Sequence, residues 1–450
     1  MYRKIEKNLL EWKQNKNKKS LLITGARQIG KTYIVRKFAK ANYENFIEIN
    51  FITTPEAIDI FNGNLDADSL VMNLTAFLRQ SLTSGNTLIF FDEIQECPRA
   101  RTALKFLVED GRFDYICSGS LLGVNYKSIP SLPVGYESTI YMYPMDFEEF
   151  CIANSVQPEI FAYLKDCYEG KTVVRQIIHD TMLNLFKFYM IVGGMPYVVR
   201  TFVETNDIGK VVALQRDIAS QYRQDIIKYA QKDPNKITKI FDEIPSQLDD
   251  KNRRFQLASL DKNARLRQYE EAFVWLQDAG VALPCFNLSE PKISLKINEQ
   301  SRLFKLYLND TGLLCAMGTE NTQFEILRGN LSVNFGSIME NVFAQQLKSN
   351  GFSLRYFNKR NVGEVDFVLQ QNTEVVLVEI KSGNDYKQHA ALNNTMKVKE
   401  WNLKKAIVFC QGNVEKDKDI VYMPWYMIMF LKQDTIIDTK INLDLSGLKI

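Results

Sequence analysis

The stretch that decides the fold is Ser20-Leu21-Leu22-Ile23-Thr24-Gly25-Ala26-Arg27-Gln28-Ile29-Gly30-Lys31-Thr32. Residues 20–24 form a short apolar run, which predicts a buried strand. Residues 25–32 fit the phosphate-binding pattern G-x-x-x-x-G-K-[ST]. Residues 32–41 then place apolar side chains at helical spacing, with basic side chains on the opposite face. The succession of strand, glycine loop and helix predicts a phosphate-binding loop.

The predicted loop contains the residue types that hold a triphosphate. Its glycines let the backbone curl so that N–H groups point inward, toward the positive end of the following helix. Lys31 supplies a charge for the terminal phosphates, and Thr32 supplies a hydroxyl for Mg²⁺. A chance glycine turn is the alternative, but chance would not also supply the flanking strand and helix. We expect ATP and Mg²⁺ to bind at eight residues: Gly25, Ala26, Arg27, Gln28, Ile29, Gly30, Lys31 and Thr32.

The second element of the predicted site is acidic. It lies at residues 87–93, Thr-Leu-Ile-Phe-Phe-Asp-Glu. The apolar residues predict a buried strand that ends in Asp92 and Glu93. Asp92 is expected to hold Mg²⁺ through its water shell, and Glu93 to act as general base on the attacking water. The alternative is a strand that leaves the sheet through acidic residues. Ser118, at the end of a predicted strand over 114–117, is expected either to sense the γ-phosphate or to serve in a turn.

The composition limits the classes of protein. At ~150 residues per domain, 450 residues suggest about three domains. The net charge of +3 does not by itself indicate a nucleic-acid partner. Seven cysteines without a C-x-x-C pair, and only two histidines, argue against structural zinc and favour a reducing compartment. No run reaches the ~18 apolar residues of a membrane helix, and the N-terminus does not resemble a signal peptide. We therefore expect a cytoplasmic protein without a membrane partner.

Strands alternating with helices over residues 1–150 predict a mostly parallel sheet covered on both faces. Residues 151–230 are helix-rich. Residues 231–320 predict two helices and then two short strands, at 281–283 and 294–297, which is typical of a winged helix. The segment 251–267 could neutralise DNA phosphates, form a solvated surface, or pair with neighbouring glutamates. Its basic residues are Lys251, Arg253, Arg254, Lys262, Arg265 and Arg267, its acid is Asp261, and the glutamates are Glu270 and Glu271.

The last unit, residues 321–450, contains a separate set of carboxylates. A strand predicted over 363–369 carries Asp366, and a strand predicted over 375–381 carries Glu379 and Lys381 on one face. Two carboxylates at one point would bind Mg²⁺ and lower the pKa of a bound water. Lys381 would hold that water or stabilise charge on a phosphate. The alternative is a buried Glu–Lys salt bridge on an internal strand.

Several motifs resemble the AAA+-type ATPases of bacteria and archaea that carry a C-terminal domain of unknown function. The similar segments are 25–32, 91–95, 118–120, 144–150, 193–196, 222–226 and 308–314. The resemblance implies an AAA+-like core over 1–150 and a helical lid over 151–230. The family often has Gly-Arg before the fifth strand, where this chain has Gly135-Tyr136. The candidates for an arginine that serves a neighbour's nucleotide are then Arg27, Arg99, Arg112 and Arg223.

The C-terminal set is similar to the restriction-endonuclease-like superfamily, whose motif is an acid followed by Glu/Asp-x-Lys on the next strand. The resemblance implies Asp366 as the first acid, Glu379 and Lys381 as the pair, and Glu340 as the acid on a preceding helix. Asp366 follows Val365 where a proline is common in that superfamily.

The preferred hypothesis is an ATP-hydrolysing motor or switch that acts on DNA. One alternative is a nucleotide-gated protein–protein switch whose C-terminal domain is catalytically inactive. Another is a metal-dependent nuclease that the ATPase unit positions. The sequence leaves open whether copies of the chain form a homo-oligomer.

Overall fold

The computed structural model describes residues 1–119, 133–230, 232–250, 253–318, 323–327 and 335–433. Lys251, named above, and Ser120, the last residue of the segment 118–120, lie outside these ranges. The described residues form three β-sheets with helices packed around them. All seven cysteines are buried and unbridged. Among the described helices, none combines the length and the apolar character needed to cross a lipid bilayer.

The first sheet contains the phosphate-binding loop. Its strands are β1 (Ser20–Thr24), β2 (Asn45–Asn50), β3 (Thr87–Asp92), β4 (Asp114–Gly119) and β5 (Glu137–Tyr141). They are all parallel, in the order β2-β3-β4-β1-β5. Leu21 and Ile23 pack into one apolar core and Leu22 into another, because side chains alternate across a strand. The helices of this unit are α1 (Ile5–Gln14), α2 (Lys31–Asn42), α3 (Ala67–Leu78) and α4 (Pro98–Asp110). The predicted parallel sheet with two covered faces is therefore confirmed.

A helical region follows, and a buried carboxylate, Asp310, holds the turn near its middle. Its helices are α5 (Phe147–Ala153), α6 (Pro158–Gly170), α7 (Gln176–Val192), α8 (Pro196–Thr205), α9 (Ile208–Tyr229), α10 (Pro234–Asp249) and α11 (Glu270–Asp278). Between α7 and α8, the Gly194 N–H donates to Asp310 at 2.6 Å. A Cβ on Gly193, where φ is 71°, would lie 2.3 Å from the same carboxylate. This turn therefore depends on a glycine.

The second sheet joins residues from both sides of position 320. Its strands are β6 (Ala282–Leu288), β7 (Glu299–Leu308), β8 (Arg355–Lys359) and β9 (Gly363–Val365), in the order β7-β6-β8-β9. The helices around it are α12 (Thr311–Gly318), α13 (Gln323–Leu327) and α14 (Phe335–Ser349). The strand predicted at 294–297 is wrong: Ser294 has a φ of 67°, and Leu295–Asn298 is a 3-10 turn before β7. The β6–β7 hairpin is also not a free wing, because β6 pairs with β8 on its other side.

The third sheet carries Glu379 and begins directly after Asp366. Its strands are β10 (Phe367–Gln371), β11 (Glu374–Ile380), β12 (Lys405–Cys410), β13 (Glu415–Asp417) and β14 (Ile420–Pro424), in the order β10-β11-β12-β14-β13, with helix α15 (Ala390–Met396). The single strand predicted over 363–369 is wrong. The chain changes sheets at Asp366, since β9 pairs with β8 and β10 pairs with β11. Glu364 and Asp366, which a single strand would place on one face, are separated by this change of sheet.

Candidate functional site

The phosphate-binding loop connects β1 to α2 and approaches its neighbours closely. Gly25 has a φ of 144°, and a Cβ there would lie 2.1 Å from the Met142 carbonyl oxygen. Gly30 has a φ of 90° and directly precedes α2. Only glycine allows the first contact without displacing the end of β5, and it favours the second conformation. The loop therefore opens at the N-terminus of α2, where backbone N–H groups favour an anion.

Lys31 is folded back into its own loop. Its ammonium donates to the carbonyl oxygens of Gly25, at 3.0 Å, and Ala26, at 2.8 Å. Burial lowers the pKa of Lys31 to about 8, although the charges of Glu93 and Asp92 act in the opposite direction. A buried ammonium held only by neutral carbonyls is well suited to receive the negative charge of a phosphate.

Asp92 is the central acceptor of the site. Its carboxylate accepts from the Thr32 hydroxyl at 2.9 Å, from the Asn50 amide at 2.9 Å, and from the Ser118 hydroxyl. Asp92 ends β3, and β4 lies between β3 and β1. Because these strands are parallel, β3 and β1 end at the same edge of the sheet, which places Asp92 beside Thr32 in the loop after β1. Ser118 lies within β4 and is buried, so it contacts Asp92 rather than forming a turn.

Glu93 follows β3 directly and has a left-handed backbone, with φ 55°. Gln95 donates to its Oε2 at 2.6 Å. Burial acts to lower the pKa values of Lys31 and Arg27, and the charge of Glu93 acts to raise both. Among the described residues, the Glu93 carboxylate accepts a hydrogen bond from one side chain, whereas the Asp92 carboxylate accepts from three.

Helix α9 contacts the tip of the loop. Arg27 forms an ion pair with Asp225 at 2.5 Å, the Tyr222 hydroxyl donates to the Arg27 carbonyl at 3.1 Å, and Gln28 donates to Gln221. Among the other arginines considered above, each is engaged within the chain. Arg99 donates to two backbone carbonyls, Arg112 pairs with Asp68 and Asp110, and Arg223 pairs with Asp242.

Three of these contacts were missed at the level of sequence. Asn50 ends β2, beside the end of β3, and the rule that identified Asp92 would also have identified this polar residue. Gln95 ends the family-like segment 91–95, but that resemblance assigned it no contact; it lies in a 3-10 turn. Arg3 donates to Ile29 in the loop at 2.8 Å and to Tyr143 at 2.7 Å, a contact no motif near the N-terminus indicated.

At the phosphate-binding loop, the oxygen ligands of Thr32 and Asp92 fit Mg²⁺, and the loop backbone with Lys31 fits a triphosphate. The Thr32 hydroxyl and the Asp92 carboxylate are adjacent, and hydroxyl and carboxylate oxygens are the ligands Mg²⁺ prefers. The glycine-permitted backbone and the buried Lys31 ammonium supply donors and charge for phosphate oxygens.

At the C-terminal set, Asp366, Glu379 and Lys381 lie together. Asp366 accepts from the Ile380 N–H at 2.7 Å, and Lys381 lies 2.8 Å from Glu379. Burial, followed by the charge of Asp366, raises the pKa of Glu379 to about 8. Its Oε2 atom is buried without a hydrogen-bond partner in the described part of the chain. Such a carboxylate would gain from a bound cation.

Glu340 does not join this group. It is buried on α14 and is engaged by Lys305 at 3.2 Å, by the Tyr307 hydroxyl at 2.8 Å and by Arg253. Lys305 also lies 2.6 Å from Glu364. Over the ranges that the structure describes, no cluster of three or more His, Cys, Asp or Glu side chains could hold a metal ion. In the described ranges the predicted set of three carboxylates is therefore not assembled, and Glu340 is instead paired with Lys305.

The basic segment contains one paired cation and four exposed ones among its described residues. Arg253 pairs with Glu340, whereas the other described cations of the segment are exposed and have no ion-pair partner within the described ranges. Glu271 lies 3.5 Å from Lys232, which is outside this segment. The exposed cations are Arg254, Lys262, Arg265 and Arg267.

Comparison with family models divides the chain into three parts. Residues 17–151 match the model of an AAA domain. Residues 183–323 match the domain of unknown function DUF8612, and residues 335–428 match the domain of unknown function DUF4143. No curated protein sequence matches the chain. Residues 17–151 are therefore an AAA-type P-loop ATPase domain, as the motifs predicted.

Solved structures show only a distant likeness. A Walker-type ATPase of Pyrococcus abyssi is 11% identical, with 70% of this chain and 94% of that chain covered and a TM-score of 0.41. The Aeropyrum pernix Orc1 protein in complex with DNA is 12% identical, with 72% and 92% covered and a TM-score of 0.24. Cdc6p from Pyrobaculum aerophilum is 13% identical, with 72% and 93% covered and a TM-score of 0.24. At these scores the likeness carries no argument about function.

Proposed function

We propose that this protein hydrolyses ATP with Mg²⁺ at the loop of residues 25–32, and that the C-terminal units act on DNA under control of that reaction. The observation that carries the ATPase proposal is the contact between the Thr32 hydroxyl and Asp92 at 2.9 Å. It brings the two predicted Mg²⁺ ligands to the mouth of the phosphate-binding loop.

The reaction follows from the positions of four side chains. Lys31 turns from its loop carbonyls to the terminal phosphates. Thr32 and Asp92 would hold Mg²⁺, and a bound Mg²⁺ would neutralise charge on the phosphate oxygens. Glu93 takes a proton from the water whose oxygen attacks the γ-phosphorus. The bond between the γ-phosphorus and the bridging oxygen breaks, and ADP keeps that oxygen.

DNA as the substrate is supported by the exposed cations Lys262, Arg265 and Arg267. Each phosphate contact adds about 0.9 to the slope of log affinity against log salt concentration. Replacing all three residues by serine should therefore reduce this slope by up to about 3. A matched control replaces Lys7, Lys165 and Arg200, which are exposed cations in helical ion pairs elsewhere. If wild-type protein binds neither duplex, branched nor single-stranded DNA at low salt, the DNA proposal fails.

A nuclease-like activity of the C-terminal unit is supported by Asp366, Glu379 and Lys381. Their arrangement follows the order of acid, acid and lysine: Asp366 directly precedes β10, and Glu379 and Lys381 lie at the end of the neighbouring β11. One oxygen of Glu379 has no hydrogen-bond partner among the described residues. We expect DNA cleavage with Mg²⁺ or Mn²⁺ that Asp366→Ala abolishes without lowering ATP hydrolysis. Cleavage that persists in this variant would exclude these residues.

The alternative is a nucleotide-gated protein–protein switch with an inactive C-terminal domain. It is favoured by the engagement of Glu340 with Lys305, which removes the expected third carboxylate from the metal site. Under this alternative, the double variant Asp366→Ala with Glu379→Ala would keep full function in cells. Loss of function in a stably folded double variant would count against it.

A further inference from the structure

The side chain of Arg27 is held by two residues of α9. One guanidinium nitrogen lies 2.5 Å from Asp225, and a second donates to the Tyr229 hydroxyl at 2.9 Å. The guanidinium carbon also lies 4.6 Å from the centre of the Tyr229 ring. Carboxylate, hydroxyl and aromatic face together hold the guanidinium of Arg27 against α9.

The same guanidinium belongs to the loop that would hold the phosphates. Arg27 is the third residue of the phosphate-binding loop, four positions before Lys31, whose ammonium donates to the carbonyl oxygens of Gly25 and Ala26 on the same loop. The ion pair at 2.5 Å places the Asp225 carboxylate against this loop. A γ-phosphate bound by the loop would therefore offer the guanidinium a second anionic partner.

We infer that Arg27 leaves Asp225 and binds the γ-phosphate when ATP occupies the loop. The inference rests on the proposed ATPase function and adds a role that the loop pattern does not contain. A phosphate offers three acceptor oxygens and more negative charge than a carboxylate, and the planar guanidinium binds it with two parallel hydrogen bonds. ADP lacks this group and leaves the ion pair with Asp225 intact.

The exchange makes the contact between the loop and α9 depend on the nucleotide. Asp225 competes with the γ-phosphate for one arginine, so it lowers the apparent affinity for ATP by the fraction of molecules in which the ion pair is closed. The chain thereby supplies from its own loop an arginine for the γ-phosphate.

The test compares the two halves of the ion pair. The affinity of each variant for the non-hydrolysable analogue AMP-PNP and for ADP is measured by calorimetry with Mg²⁺. For Arg27→Ala we expect about a 10-fold loss of AMP-PNP affinity with ADP affinity unchanged, because a charge-assisted hydrogen bond is lost only with the triphosphate. For Asp225→Asn we expect AMP-PNP affinity to rise about 3-fold or more, again without change for ADP.

Controls separate this role from a structural one. Asp242→Asn breaks the exposed Arg223–Asp242 ion pair, which also involves α9, and should leave both affinities unchanged. Arg27→Lys keeps the charge and should recover part of the AMP-PNP affinity. If Arg27→Ala and Asp225→Asn both weaken AMP-PNP and ADP alike, the ion pair only supports the fold and the inference is wrong. If wild-type protein binds neither nucleotide, the proposed function fails instead.

Discussion

Replacing Glu93 by glutamine tests the proposed chemistry most directly. The substitution keeps the size of the side chain but removes its ability to accept a proton. Asp92 is not available as the base, because it already accepts hydrogen bonds from Thr32, Asn50 and Ser118. Among the described residues Glu93 has one donor, Gln95, which bonds one carboxylate oxygen and leaves the other for a water.

The size of the effect follows from the role of a general base. Such a group contributes about 10²- to 10⁴-fold to the rate, which corresponds to about 3–5 kcal/mol of activation free energy. We therefore expect the rate constant for hydrolysis in Glu93→Gln to fall by at least about 100-fold. ATP affinity should change by less than about 3-fold, because Lys31 and the loop backbone remain.

The assay is phosphate release under single-turnover conditions with Mg²⁺, beside calorimetric binding of AMP-PNP. The matched control is Glu96→Gln, the same chemical change in an exposed residue of the adjacent 3-10 turn. Its rate should equal that of the wild type. Hydrolysis by Glu93→Gln within about 3-fold of the wild-type rate would refute the assignment and place the base elsewhere.

Three further results are expected. Lys31→Ala should abolish measurable ATP hydrolysis, whereas Lys37→Ala on the exposed face of α2 should not, as phosphate-release rates would show. Asn50→Ala should raise the Mg²⁺ concentration for half-maximal hydrolysis by about 10-fold, since the amide orients Asp92; an unchanged Mg²⁺ titration would exclude that role. The raised pKa of Glu379 means that the folded state binds its proton more tightly than the unfolded state, so stability is lost as pH rises from about 4.5 to about 8. Urea unfolding without divalent cations should therefore show Glu379→Gln gaining stability over the wild type from pH 5 to pH 9, and the exposed control Glu374→Gln showing no such trend.

The phosphate-binding loop could be predicted because its requirements are local. Gly25, Gly30, Lys31 and Thr32 are close in the chain, and the backbone that they need follows from the residue types alone. Asp92 could be predicted because parallel strands end at one edge of a sheet. The hydrogen bonds of Asp92 then follow from topology, without knowledge of any distant loop.

The errors arose where a pattern had two structural solutions. The alternation over 363–369 fits one strand, but Asp366 lies where the chain passes between two sheets, and alternation does not reveal a change of sheet. Glu340 was expected beside Asp366. Its actual partner Lys305 is fully buried on β7, in a unit that the sequence separated from the C-terminal one.

The sequence by itself predicted the kind of chemistry, the binding of a triphosphate with Mg²⁺. A glycine loop with Lys31 and a strand that ends in Asp92 are together typical of such a site. Only the tertiary structure decided the partners of these residues. Arg27 and Asp225 are separated by 198 positions, and no periodicity in the chain relates them. Their contact depends on how α9 packs across the loop, because the burial of apolar side chains fixes helix positions, and charged side chains then meet wherever that packing leaves them.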